Sequence, residues 1–256
     1  MPAERRSRQE SRAVLILGGT QEAADLAARL VEDAPQWRIV TSLAGRTQAP
    51  RPLPGQVRSG GFGGAEGLAR YLADNAISAL VDATHPFATQ MSANAAAAAA
   101  ETATPLYRLC RPPWQPRSED KWQIVDSLQA AAARLPEAST AFLALGHQHI
   151  GAFARRRDCR FVLRMIDPPA APLPFDATLV LGRPGLSPDA EADTLAAHGV
   201  THLVCRNSGG RIGWSKLEAA RRLGLAVIML ARPPEPAAAH FDDVETVVAA
   251  LIAADC

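Results

Sequence analysis

Residues 13–33 read AVLILGGTQEAADLAARLVED. The run opens on a short continuous apolar segment, Ala13–Leu17, which is the mark of a buried strand. Gly18 and Gly19 follow at once. Beyond them Leu26, Ala27, Leu30 and Val31 recur at helical spacing, which predicts a helix burying that face. Strand, glycine turn and helix in this order open a βαβ unit.

The same alternation continues outward. Arg38–Ser42 (RIVTS) reads as a second strand and Gln56–Arg58 as a short third. A helix is expected over Ala65–Asn75, a strand over Ala79–Asp82, an alanine-rich helix over about Thr89–Thr102, and a strand over Pro105–Leu109. Strands alternating with helices predict a parallel sheet. Arg111–Ser118 (RPPWQPRS) then interrupts the pattern with three prolines. The alternation restarts with strands at Trp122–Val125, Ala141–Leu145, Arg160–Met165, Thr178–Leu181, Leu203–Cys205 and Ala226–Leu230. Helices are expected over Ser127–Leu135, Pro188–His198, Lys216–Leu223 and Val244–Ala254. The reading is therefore α/β throughout: a tail over 1–12, one domain over 13–112 and a second over 113–256. Two α/β domains with mainly parallel sheets make an inter-domain cleft a natural place for a ligand.

Composition narrows the class. Of 256 residues, 48% are hydrophobic and 21% charged, the balance of a folded globular protein. The net charge of +1 argues against a general nucleic-acid binder, and no apolar run is long enough for a membrane span. The charged opening MPAERRSRQESR reads as a disordered tail and not as a signal peptide. Cys110, Cys159, Cys205 and Cys256 are scattered, which suggests neither disulfides nor a zinc cluster and fits a reducing cytoplasm. The sequence around His147 and His149 does not carry the carboxylate ligands expected of a metal site, so no metal is expected. Nothing demands an oligomer, and a monomer is the simplest reading.

The turns after the strands carry the chemistry. Gly18, Gly19 and Thr20 sit where a helix N-terminus offers free amides and a positive dipole end to a phosphate. The spacing is not GxGxxG, and a plain tight turn would look the same. The second strand ends in Thr41-Ser42-Leu43-Ala44-Gly45-Arg46, without the carboxylate that NAD enzymes use to hold a ribose hydroxyl. Ser42 and Arg46 instead suit the 2′-phosphate of NADP, the alternative being a solvated polar loop. In the third turn, Gly61, Phe62 and Gly63 lie within GGFGG, which implies close backbone approach to a ligand or simple flexibility. In the fourth, Thr84, His85, Pro86 and Phe87 follow a strand's carboxyl end, where α/β folds place ligands. His85 is positioned to bond a nicotinamide, a ribose or a substrate, though a lone histidine is more often structural.

The second half has one concentrated motif. Asn207, Ser208, Gly209 and Gly210 form an anion-friendly turn, followed by Trp214-Ser215-Lys216 at a helix start. Lysine occurs only twice in this arginine-preferring chain, at Lys121 and Lys216. A helix N-terminus and burial both lower a lysine pKa, which would let Lys216 donate a proton; a lysine reaching to solvent is the alternative. Arginines are plentiful, among them Arg108, Arg111, Arg117, Arg155–Arg157, Arg160, Arg164 and Arg183. Most read as solvated surface, and any that line a cleft suit a polycarboxylate ligand.

Taken in order, six runs resemble the precorrin-6A reductase family of cobalamin biosynthesis. They are LGGTQEA (17–23), TSLAGR (41–46), RSGGFGG (58–64), LVDATHPFA (80–88), LRMIDPP (163–169), and RNSGG with SKLEAARRLGLAVIMLARP within 206–233. The resemblance implies two Rossmann-like domains with NADPH bound between them. It implies hydride delivery to ring carbon 19 of a tetrapyrrole polycarboxylate, precorrin-6A, and protonation at carbon 18. Gly18–Thr20, Ser42 and Arg46 would hold the cofactor's phosphates, and Gly61–Gly63 and Thr84–Phe87 its ribose and nicotinamide. Asn207–Gly210 and Lys216 would complete the site. For the catalytic proton donor the candidates are Lys216, His85 or a bound water, in that order. Contacts with neighbouring pathway enzymes fit the same picture. Two departures stand out: Arg206 where the family often has lysine, and Gly182-Arg183-Pro184-Gly185 where it often reads RGPF. Rival readings are a non-catalytic NADP-binding redox sensor, a cobalt-precorrin-6A reductase, and a dehydrogenase of small carbonyls. Neither Tyr71 nor Tyr107 has a lysine four residues on, which counts against the last.

Overall fold

The computed structural model describes residues 12–45, 52–146, 149–169, 171–183, 185 and 187–254. Residues 1–11 of the expected tail, Arg46, His147 and Cys256 lie outside the described residues.

The opening strand β1 (Ala13–Leu17) is buried along its whole length. Val14 and Ile16 enter one apolar cluster with Leu26 and Leu30. Ala13, Leu15 and Leu17 enter another on the opposite face. A strand covered on both faces has no use for polar alternation, which explains the unbroken AVLIL. Helix α1 (Gln21–Asp33) buries Ala23, Leu26, Ala27 and Leu30. Val31, expected on that face, is 37% exposed, because the buried stripe runs through Ala23 instead.

Five further strands pair with β1 directly or in series: β2 (Arg38–Leu43), β3 (Gln56–Ser59), β4 (Ala79–Asp82), β5 (Leu106–Leu109) and β12 (Ala239–Phe241). Their order is β12-β5-β4-β1-β2-β3, every pairing parallel. Read from β3, this is the 3-2-1-4-5-6 order of a doubly wound dinucleotide-binding sheet. Helices α2 (Ala65–Asp74) and α3 (Thr89–Thr102) cover one face. Alanines 95, 98 and 99 of α3 are buried there, and their small size lets α3 lie close against α2 and the sheet. Helices α1 and α7 (Val244–Ala253) cover the other face.

The second sheet contains β6 (Lys121–Val125), β7 (Thr140–Ala144), β8 (Arg160–Met165), β9 (Thr178–Leu181), β10 (His202–Arg206) and β11 (Ala226–Leu230). Its order is β6-β11-β10-β7-β8-β9, again all parallel. Helices α5 (Pro188–Ala197) and α6 (Ser215–Arg222) bury Leu195, Leu217 and Ala220 against Phe142, Leu203 and Val227. Helix α4 (Leu128–Arg134) packs beside a 3-10 turn at Gly151–Phe153.

The domain limits differ from the expected 13–112 and 113–256. One unit holds the residues up to Arg111 and those from Pro234 onward; the other is Pro112–Pro233. The chain returns because β12 pairs with β5, and because Val247, Val248 and Leu251 of α7 fill the cluster around α1. The first sheet takes its last strand from the far end of the chain, whereas the second unit is one continuous stretch that opens with its own edge strand. β6 follows β5 in the chain but edges the second sheet, while β12 follows β11 but edges the first.

Candidate functional site

Both sheets reverse their winding beside the central strand, and the turns at that point are where open α/β sheets bind ligands. In the first unit the reversal lies between β1 and β4.

The turn after β1 is built by Gly18, Gly19 and Thr20. Gly18 donates to the Ser42 carbonyl at 2.9 Å, and a Cβ there would meet Thr41 at 3.0 Å. Gly19 has φ +108, and no atom lies within 4 Å of where its Cβ would be. That glycine is required by conformation and faces open space. The Thr20 hydroxyl caps α1 by accepting from Ala23 N at 3.1 Å, and it donates to the Ala83 carbonyl at 2.8 Å. Thr20 is thus a cap and a tie between two loops. The amides of Gly19, Thr20, Gln21 and Glu22 have no partner among the described hydrogen bonds.

At the end of β2, Ser42 is 6% exposed, and its hydroxyl accepts from Arg58 at 2.7 Å. Arg58 also donates to the carbonyls of Gly60 (3.0 Å) and Gly61 (3.1 Å) and stacks 3.8 Å over the Phe62 ring. In the sequence Arg58 ends a strand and opens the RSGGFGG run, and no role marks its side chain. The structure makes it the described cation beside Ser42. Phe62 packs edge-on to Tyr71 and onto the core, so its ring is engaged within the unit. Gly60, Gly63 and Gly64 have positive φ with open space where a Cβ would be. Gly67 is different, since a Cβ there would sit 1.7 Å from the Phe62 carbonyl oxygen.

At the end of β4, Asp82 (1% exposed) and Arg108 (2% exposed) stand at paired positions of β4 and β5. Arg108 Nη1 lies 3.0 Å from Asp82 Oδ1 and donates to the Asp82 and Thr84 carbonyls. Asp82 Oδ1 accepts from Thr84 N at 3.0 Å and Thr84 Oγ1 at 2.7 Å. This buried pair fixes the loop carrying His85, Pro86 and Phe87. His85 is half-buried, and its Nδ1 accepts from Phe87 N at 3.2 Å, which places the proton of the neutral ring on Nε2. Arg108 and Arg164 are not among the arginines that read as solvated surface. Arg164 is paired with buried Glu191 at 2.6 Å.

In the second unit the reversal lies between β7 and β10, so Asn207–Gly210 occupies the position equivalent to the loop after β4. The Asn207 side chain clasps the Trp114 backbone from both sides, at 2.8 and 3.0 Å, and Trp114 Nε1 donates to the Gly210 carbonyl at 2.8 Å. Arg232 donates to the Asn207 and Ser208 carbonyls. Gly209 has φ +67, and a Cβ there would strike the Pro112 carbonyl at 2.2 Å. The proline-rich break is therefore packed structure without helix or strand. The amides of Gly209 and Gly210 have no partner among the described hydrogen bonds, so the turn still offers donors to an anion.

Lys216 is 8% exposed and does not reach solvent. Its Nζ donates to the Gly213 carbonyl at 2.7 Å and lies 4.7 Å over the Trp114 ring. Burial pushes its pKa below the usual lysine value, opposed by Cys205 and Glu191. Among the described residues no three His, Cys, Asp or Glu side chains group as metal ligands, and no helix is long and apolar enough to cross a membrane.

This geometry coincides with a matching family. The model of the precorrin-6x reductases CbiJ/CobK matches residues 13–252. A precorrin-6A reductase of Rhodobacter capsulatus is 45% identical over 226 residues, covering 88% of this chain and 89% of the relative. One from Rhodococcus erythropolis is 45% identical over 238 residues, covering 92% and 96%. A solved structure of the precorrin-6A reductase CobK superimposes with a TM-score of 0.89 at 43% identity, covering 94% of this chain and 96% of its own. With two parallel doubly wound sheets, open glycine turns at the first reversal and this match along nearly its whole length, the chain belongs to the precorrin-6x reductase family.

Proposed function

We propose that this oxidoreductase reduces precorrin-6A to precorrin-6B with NADPH in corrin biosynthesis. One observation carries the cofactor assignment: unpartnered amides and open glycine positions at the ends of β1 and β3 flank a β2 end that holds Arg58 beside Ser42 and no carboxylate. A dinucleotide with a 2′-phosphate fits that set. The α1 amides suit its pyrophosphate. Ser42, Arg58 and Arg46 suit the extra phosphate. Gly60–Gly64 let the backbone approach the ribose.

NADPH, when bound, supplies the hydride, which goes to ring carbon 19. The chain's own part is to orient and to deliver a proton to carbon 18. The Asp82–Arg108 pair holds the 84–87 loop, and the Phe87 amide holds His85 with its proton on Nε2. His85 is half-buried, whereas Lys216 Nζ is sealed between Gly213 and Trp114, so proton transfer falls to His85. Lys216 and Asn207 act as positioning residues that fix Trp114 and the amides of Gly209 and Gly210. Anaerobic mixing of purified protein, NADPH and precorrin-6A tests the reading. NADPH oxidation that depends on precorrin-6A, with a matching pigment shift, supports it. NADPH binding without oxidation favours the sensor, and oxidation only with cobalt-precorrin-6A favours the cobalt route.

A further inference from the structure

The first unit contains a cavity of about 320 Å³ lined by Pro86, Thr89, Ser92, Arg108 and the Pro234–Pro236 segment. Three features of its wall lack partners. The first is the Arg108 guanidinium. Among the described residues only Nη1 is hydrogen-bonded; Nε is buried, and neither it nor Nη2 has a partner there. The Nε–Nη2 edge is the one that grips a carboxylate with two parallel bonds. An orphaned donor on a side chain 3% exposed is costly unless a ligand completes it. The second is the start of α3. Its cap position is Ala88, which contributes no side-chain bond, and the Thr89 and Gln90 amides have no partner among the described hydrogen bonds. The third is Ser92, 4% exposed, whose hydroxyl makes no hydrogen bond among the described residues. The one acid in the wall, Glu235, lies 3.1 Å from His240 Nδ1.

We infer that this cavity is an anion site that takes a peripheral carboxylate of the tetrapyrrole, with Arg108 and the α3 amides as its donors. The substrate half of this statement rests on the proposed function; the anion site does not. Pro86 and Thr89 continue from the His85 loop, so a carboxylate held here anchors the substrate beside the proposed proton donor.

Two variants test it. Thr89→Asp places a carboxylate at the first position of α3, where it favours the helix while competing for the same donors. Arg108→Lys keeps a cation beside Asp82 but loses the two-pronged edge. Three readings are taken on each: the KM for precorrin-6A, the Kd for NADPH, and thermal stability. In parallel, propionate is titrated into the wild-type protein while the Arg108 Nε–H resonance is followed by NMR. The inference expects a saturable shift with propionate, lost in Thr89→Asp. It also expects a KM for precorrin-6A raised by about tenfold or more in both variants, with NADPH affinity within about twofold and a Thr89→Asp melting temperature no lower than wild type. Absence of the propionate shift overturns the anion site. A shift with an unaltered KM overturns the substrate assignment, and a parallel loss of NADPH affinity reassigns the cavity to a cofactor phosphate. If wild-type protein does not turn over precorrin-6A, the proposed function fails, and the propionate titration still decides the anion site.

Discussion

Thr20 shows how much one hydroxyl can hold. It caps α1 and ties that helix to the carbonyl of Ala83. Thr20→Ala is expected to lower stability by about 1–2 kcal/mol, measured by denaturant unfolding, because the cap and the tie are lost together. Lys216 makes a pH prediction. Its folded pKa is lowered by burial from the ordinary 10.5. Between the folded and unfolded values the unfolded chain binds more protons, so the burial penalty fades as pH rises through that window. Wild type should therefore gain stability relative to Lys216→Met from neutral to alkaline pH; parallel pH curves would show that Lys216 is not desolvated. Arg58→Ala and Arg46→Ala should each weaken NADPH far more than NADH, and an unchanged preference in both would remove the 2′-phosphate contact. At this scale residue type was informative where chemistry is rare. One of two lysines in an arginine-rich chain pointed to a perturbed ammonium, and burial bears out the direction of the shift. Type could not say where Nζ points, because Trp114 comes from a segment with no periodicity. Arg108 sits inside LYRL with no motif around it, so nothing in the sequence marks its burial.

At the scale of elements, the glycines divide into two kinds. Gly19, Gly60 and Gly63 adopt positive φ in open space, while Gly67 is a matter of contact. Gly67→Ala forces a Cβ onto the Phe62 carbonyl and should cost about 1–3 kcal/mol by overpacking, with loss of the stack formed by Phe62, Tyr71 and Arg58. A thermal melt equal to wild type would contradict that packing. The long strands were legible because burial on both faces leaves an apolar run such as AVLIL or AVIML. β12 was not, because three residues after PPEP carry no alternation and their pairing with β5 is remote in sequence. The RPPWQPRS break was legible as irregular. Its anchoring by Asn207 was not, since a clasp across 93 residues leaves no local pattern.

At the scale of the molecule, the two sheets share one strand order, but only the first takes its last strand from a segment remote in the chain. A boundary drawn at the RPPWQPRS break cannot see that return, and it sets residues 234–256 with the second domain although they cluster with the first. Val247, Val248 and Leu251 are at most 4% exposed in the core of the first unit. Their burial contributes together about 5–9 kcal/mol, comparable with the whole stability of a domain. Deleting residues 234–256 should therefore abolish cooperative unfolding of the first unit while the second retains its own transition, measured by calorimetry. A truncated chain that still binds NADPH would refute this.

The proposed function stands on hydride transfer from NADPH to the tetrapyrrole. The direct measurement is one anaerobic turnover with NADPH deuterated at the transferring position, followed by NMR of the reduced product. The account predicts one deuterium at ring carbon 19 and a solvent-derived proton at carbon 18. Precorrin-6B free of deuterium, or NADPH left unoxidised in the presence of precorrin-6A, would contradict it.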